Sequence, residues 1–172
     1  PLRAFKVFLN LLPYPSGHRH RHRVPDLSVY IPVSSGKLES VRESLGKAFK
    51  HLNGKAETIC VDLSSFLNDS LQAEEIAFAL GESLALSTYS YSGYKQKPNE
   101  PVKAIEQVTV VTAEDREEFT SVLETGYIYG RATNSARTLV NTPGNMMTAA
   151  DMAEYAKNLA DTYGFEVEIL EK

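Results

Sequence analysis

Cysteine is almost missing from this chain. Its one instance, Cys60, leaves no partner for an intramolecular disulfide, so a reducing, cytoplasmic setting is expected. Long apolar runs are missing too, and none approaches the roughly 20 residues that span a bilayer, so no membrane partner is expected. The short motifs that carry chemistry are also absent: there is no Gly-x-Ser-x-Gly elbow, no phosphate-cradling glycine loop, no His-Glu-x-x-His and no Cys-x-x-Cys. Basic residues are scarce over most of the chain. Arg3, Lys6, Arg19, Arg21 and Arg23 fall in the first 24 residues, leaving 13 basic residues against all 22 acidic ones, a net of −9 for the remainder. Such a body is unsuited to nucleic acid, because counterion release needs clustered Lys and Arg.

What is present is ordinary globular material: 172 residues, 42% hydrophobic and 23% charged, enough to bury a core. The first 24 residues differ from the rest. An apolar, strand-like or helix-like piece from Phe5 to Leu12 meets a Pro-Tyr-Pro-Ser-Gly break, and His18, His20 and His22 then alternate with arginine. On a strand the three imidazoles would share one face and could attract a transition metal. The plainer reading is a tail outside the domain, of foreign or ill-defined origin, and residues 1–24 are set apart on that basis.

From Asp26 the pattern alternates between strand and helix. Leu27–Val33 reads as a strand whose Pro32 suits an edge. Leu38, Val41, Leu45, Ala48 and Leu52 form one helix face, closed by a left-handed cap at Asn53-Gly54. Glu57–Leu63 is a second strand with Cys60 as a small core residue, and no histidine stands beside it in the role of a base. A helix is expected from about Asp69 or Ser70, followed by a Tyr-rich loop with Lys95 and Lys97, too few lysines for a nucleic-acid platform. Ala104–Thr112 is a third strand.

A capping box at Thr112–Asp115 opens a long helix over about 113–140. Its expected inner face carries Phe119, Val122, Gly126, Tyr129, Ala132, Ala136 and Leu139. Gly126, Gly130, Ala132 and Ala136 are small enough to admit a neighbouring element closely. Thr148 then caps a further helix with Asp151 in its first turn, and Phe165-Glu-Val-Glu-Ile169 alternates as a half-exposed strand should. Strands separated by helices of this length give an α/β fold with a largely parallel sheet. The acid pairs Glu74-Glu75, Glu117-Glu118 and Glu166/Glu168 have no partner constellation, so no catalytic and no metal-ligating residue is nominated.

One stretch carries a resemblance. From Asn134 to Lys172 the chain is similar to the junction of leucyl aminopeptidases, the cytosol aminopeptidase family. The matching positions are Ala136, Arg137, Leu139, Val140, Asn141, Pro143, Asn145 and Thr148, while Ala149 stands where a proline is usual. Weaker similarity reaches back to Ser28. The resemblance implies a macro-domain-like, three-layer α/β/α N-terminal domain with a mixed sheet over 25–140. It further implies a linker turn and the first helix and strand of a catalytic domain over 141–172, with Arg137, Asn141, Pro143, Asn145 and Thr148 as structural junction residues. The family removes N-terminal residues from peptides with two divalent ions, manganese or zinc, and assembles as a hexamer. Its Lys-Gly-x-x-Phe-Asp and Asn-Thr-Asp-Ala-Glu-Gly-Arg ligand motifs do not occur here, so no cofactor is expected in this chain. The expected partners are a catalytic domain, further copies of the protein, and peptides as substrates of the whole. The alternative is a macro-like module binding ADP-ribose or a related nucleotide, which rests on fold analogy alone.

Overall fold

The computed structural model describes residues 3–9, 27–33, 35–62, 66, 70–91, 93, 104–111 and 116–170. In chain order the elements are β1 (Arg3–Leu9), β2 (Leu27–Val33), α1 (Leu38–Leu52), β3 (Thr58–Asp62), α2 (Ala73–Thr88), β4 (Gln107–Val111), α3 (Arg116–Asn141) and α4 (Ala149–Tyr163). The histidine run, the Thr112–Asp115 box, Lys95 and Lys97 lie outside the described residues.

The four strands form one mixed sheet in the order β2-β1-β3-β4. The parallel pairing is β3 with β4, while β1 runs antiparallel to both of its neighbours. Part of the first segment is therefore a strand of the sheet, which corrects its reading as a tail outside the domain. Arg3–Leu9 pairs along its whole length with Val33–Leu27, and the unusual composition around it hid that strand. Pro32 lies on β2, an edge strand of this sheet, which is where proline is tolerated.

β2 and β3 point the same way, as do β3 and β4, and both crossovers move across the sheet in one direction. Right-handed connections then place α1 and α2 on the same face, where they pack on each other. Val41, Leu45, Phe49 and Leu52 of α1 meet Ile59 and Val61 of β3 and Ile76 and Leu80 of α2 in a single buried core. Burying each such side chain is worth about 1.5–3 kcal/mol. The alternation along β3 leaves Thr58, Cys60 and Asp62 half-buried on its other face. Arg42 and Glu82, 2.9 Å apart, tie α1 to α2 at the surface. α2 begins at Ala73, later than the Asp69 or Ser70 start expected, with the Glu75 carboxylate accepting the Gln72 backbone N–H at 3.0 Å.

α3 packs along α2, and its Phe119 is buried in the same core as Ile59 and Val61 of β3. Two glycines set this contact. A Cβ on Gly81 would fall on the Leu123 carbonyl oxygen and 2.8 Å from the Tyr127 nitrogen, and one on Gly126 would fall on the Phe78 carbonyl oxygen. The same test at Gly130 meets Ala85 Cβ at 2.6 Å and the Glu82 oxygen at 2.9 Å. The buried stripe of α3 accordingly runs through Phe119, Gly126 and Gly130. Tyr129, Ala132 and Ala136, expected inside, are exposed. Tyr129 instead meets Phe78 from the flank, edge to face, with ring centroids 5.5 Å apart.

α4 packs against no other helix or strand among the described residues. The strand expected at Phe165–Ile169 has not formed: the segment has no ladder partner, and Phe165 and Val167 are 50% and 40% exposed. A strand is a pairing, not a local preference, so alternation alone does not produce one. Among the described residues no helix is long and apolar enough to cross a membrane.

The glycine contacts give a paired expectation. Gly81→Ala or Gly126→Ala forces two backbones apart and lowers unfolding stability by about 2–3 kcal/mol or more. Gly46→Ala, in α1 with nothing within 4 Å of the new carbon, raises it by about 0.5–1 kcal/mol. Urea unfolding curves of the three variants check both signs.

Candidate functional site

Because β3-α2-β4-α3 winds in one sense, α2 and α3 run parallel and their C-terminal ends come side by side. Each end leaves its last carbonyls without an intrahelical partner and carries partial negative charge. α2 has no basic residue in its own last turn. The Thr88 hydroxyl of α2 donates to the Leu84 carbonyl at 2.7 Å, and α3 supplies further donors. Asn134 Nδ2 donates to the Ala85 carbonyl at 2.7 Å, and Arg137 Nη1 donates to the Leu86 carbonyl at 3.2 Å. The same Arg137 nitrogen donates to Asn134 Oδ1 at 3.0 Å, which locks the two side chains together.

Tyr89, the residue that ends α2, completes the cluster. Its ring lies under the Arg137 guanidinium, with Cζ 4.2 Å from the ring centroid. Its hydroxyl is 3.1 Å from Thr138 Oγ1 and accepts from Asn141 Nδ2 at 3.3 Å. Thr138 Oγ1 already gives its proton to the Asn134 carbonyl at 2.9 Å, so Tyr89 is the donor toward Thr138. Beside the cluster a groove of about 340 Å³ opens between the helices, lined by Thr88, Tyr89, Tyr127, Arg131, Asn134 and Thr138 among others.

Of the five junction residues, Arg137 and Asn141 are thus brought together on Tyr89. The other three lie along the exit. After Asn141, Thr142 still reaches back to the Thr138 carbonyl at 3.0 Å, and Pro143, which has no N–H to continue the ladder, comes next. Met146 N–H closes a turn on the Pro143 carbonyl at 2.8 Å, with Pro143 and Asn145 exposed. Thr148 caps α4: its hydroxyl accepts from Asp151 N–H at 3.3 Å, and the Asp151 carboxylate accepts from Thr148 N–H at 2.7 Å. The Thr148 hydroxyl also donates to that carboxylate at 2.6 Å, and this bond foremost, with the one from the Thr148 N–H, holds the Asp151 carboxyl below its usual range. Gly164, in the left-handed region at φ 74°, closes the helix. Sequence reasoning did not single out Tyr89 or Asn134. No motif marks them, and their place at the end of α2 depends on the parallel packing.

The cluster holds no nucleophile or general base. Cys60 lies elsewhere, on β3, and burial together with the Asp62 charge pushes its thiol up, away from reactive thiolate. Among the described residues no three His, Cys, Asp or Glu side chains come together to hold a metal ion. The arrangement fixes the end of α3 to the end of α2 and orients the turn that leads to α4.

Residues 34–98 match the family model described as the cytosol aminopeptidase family, N-terminal domain. Over 136 residues the chain is 48% identical to a probable cytosol aminopeptidase of Bacillus subtilis (strain 168), covering 78% of this chain and 27% of that protein. Its fold is similar to the bottromycin maturation enzyme BotP in complex with Mn, with a TM-score of 0.63 and 26% identity over 77% of this chain and 26% of the other. It is also similar to a mutant of tomato leucine aminopeptidase, with a TM-score of 0.68 and 21% identity over 83% and 29% of the two chains. The chain therefore spans a little over a quarter of the length of these proteins. The reading as a nucleotide-binding module draws no support from them.

The geometry of the cluster and the cap sets two expected outcomes. Arg137→Ala, which leaves the end of α2 without its cationic donor, lowers stability by about 1 kcal/mol in urea unfolding. Arg137→Lys recovers only part of that loss, because an ammonium reproduces neither the planar stack nor the forked donors. For Asp151, a folded-state value below the unfolded one means that the cap contributes at and above the ordinary aspartate range. That contribution is lost as pH falls through the folded value. Carboxyl NMR should show Asp151 titrating below the usual aspartate midpoint of about 3.9, with Thr148→Ala moving it back up.

Proposed function

Because this chain belongs to the cytosol aminopeptidase family, we propose that it forms the non-catalytic N-terminal part of a metal-dependent leucyl aminopeptidase. Its work there is assembly and the access of peptides to a separate catalytic unit. The observation that carries this reading is the handover at Asn141. An N-terminal body with its own buried core ends there, and the next helix packs against none of its elements.

In this reading 25–140 is the accessory domain and 141–172 begins the catalytic one. Arg137, Asn141, Pro143, Asn145 and Thr148 are the structural junction between them. The partners are the catalytic domain, further copies arranged as a hexamer, and peptides as substrates of the whole, in the cytoplasm. Two divalent ions, manganese or zinc, belong to the catalytic unit, and no chemical step is routed through the residues described in this chain. The acidic body speaks against nucleic acid as a partner.

A chimera tests the proposal. The matched N-terminal region of the Bacillus subtilis relative is replaced by this chain's, and metal-dependent release from a leucyl anilide is measured. The chimera is expected to keep release within about tenfold of the parent, while this chain alone, with manganese or zinc added, releases nothing above a no-enzyme blank. Release by the chain alone, free of host enzyme, would overturn the non-catalytic reading. A folded chimera that is inactive would overturn the assembly and access role.

A further inference from the structure

Along most of α2 the separation from α3 is set by backbone contact at Gly81, Gly126 and Gly130. Past Ala85 that contact ends, and the remaining links from α3 to the body are polar. The bonds of Asn134 and Arg137 end on α2 carbonyls, which fix position along the helix pair. Tyr89 makes a different kind of contact. Its ring supports Arg137, and its hydroxyl links Thr138 to Asn141, one position on each side of the last helical turn. With Thr138 giving its proton to Asn134, Tyr89 donating to Thr138 and Asn141 donating to Tyr89, every proton in the chain of bonds is assigned. Beyond this point Pro143 and Asn145 are exposed, and α4 contacts no other helix or strand among the described residues.

We propose that Tyr89 is a positioning residue that fixes the last turn of α3 and thereby the direction in which the chain leaves the body toward α4. The leverage is geometric. α4 is about 22 Å long at 1.5 Å per residue, so a tilt of about 10° at the clamp, acting through the turn and the helix, moves its far end by roughly 5 Å. For α3 and α4 this positioning rests on contacts within the chain alone. What α4 then orients rests on the aminopeptidase reading.

Nitroxide labels at the exposed positions Glu43 on α1 and Glu154 on α4, introduced as cysteines in a Cys60→Ser background, read the angle as a distance distribution. The parent is expected to give a single narrow distribution. Tyr89→Phe, which keeps the ring under Arg137 and loses both hydroxyl bonds, is expected to widen it measurably. Tyr89→Ala is expected at least to double its width. In both variants the amide protection of Ile76–Leu80 in α2 stays as in the parent. An unchanged width in Tyr89→Ala overturns the proposal. So does widening accompanied by lost protection in Ile76–Leu80, since Tyr89 is then a packing residue of the whole domain. Neither readout uses peptidase activity, so its failure is distinct from failure of the aminopeptidase reading.

Discussion

The backbone contact between α2 and α3 is the constraint on which the rest of this structure depends. At Gly81 and Gly126 no side chain separates the helices, and a single methyl on either would fall on a carbonyl of the other. Contact that close gathers dispersion along both backbones and leaves no tolerance for sliding or rotation. It also fixes the course of α3, whose Phe119 reaches the shared core at the start of the helix while its later turns lie against α2.

The same contact creates an electrostatic problem and locates its solution. Parallel helices held this close bring their negative ends together, and α2 has no basic residue in its last turn to offset this. Thr88 gives α2 a neutral hydroxyl donor of its own, but the cation comes from the neighbour, where Asn134 and Arg137 stand one turn apart on the face that looks at α2. A guanidinium suits the place better than an ammonium, because it donates to Leu86 and Asn134 while stacking on Tyr89. Arg137 and Asn141, which carry the resemblance to the aminopeptidase junction, thus face back toward the end of α2.

Most of the elements were legible because their signals are local. The spacing of Val41, Leu45, Ala48 and Leu52 places the buried face of α1, and the Thr148 and Asp151 pair announces the start of α4. The misreadings share a physical cause, since each depends on a partner distant in sequence. Gly126 and Gly130 give no hydrophobic signal, so periodicity drew the inner face of α3 through Tyr129, Ala132 and Ala136 instead. Phe165–Ile169 alternates correctly, yet no strand among the described residues pairs with it. Arg3–Leu9 belongs to the sheet although its surroundings read as a tail. In the candidate site, Arg137 and Asn141 were marked by their motif, but Tyr89, on which they converge, becomes visible only once α2 and α3 are seen to run parallel.

α4 shows the converse case, local order with no other helix or strand packed on it among the described residues. A 15-residue helix is marginal by itself in water, and this one leaves Met152 and Tyr163 exposed at 45% and 73%. Two devices offset that: the reciprocal bonds of Thr148 and Asp151 at one end, and the left-handed cap at Gly164 at the other. Capping satisfies the terminal N–H and carbonyl groups but buries no apolar surface. Those caps therefore account for a helix here, and they do not account for its apolar face. Ala160 is buried and Tyr155, Ala156 and Leu159 are half-buried, while Met152, Tyr163, Phe165, Val167 and Leu170 along α4 and the segment after it stay exposed. The last turn of α3 is held through Tyr89, Arg137 and Asn141, and the exposed apolar side chains of α4 and the segment after it lie beyond that clamp, so its geometry sets where they begin.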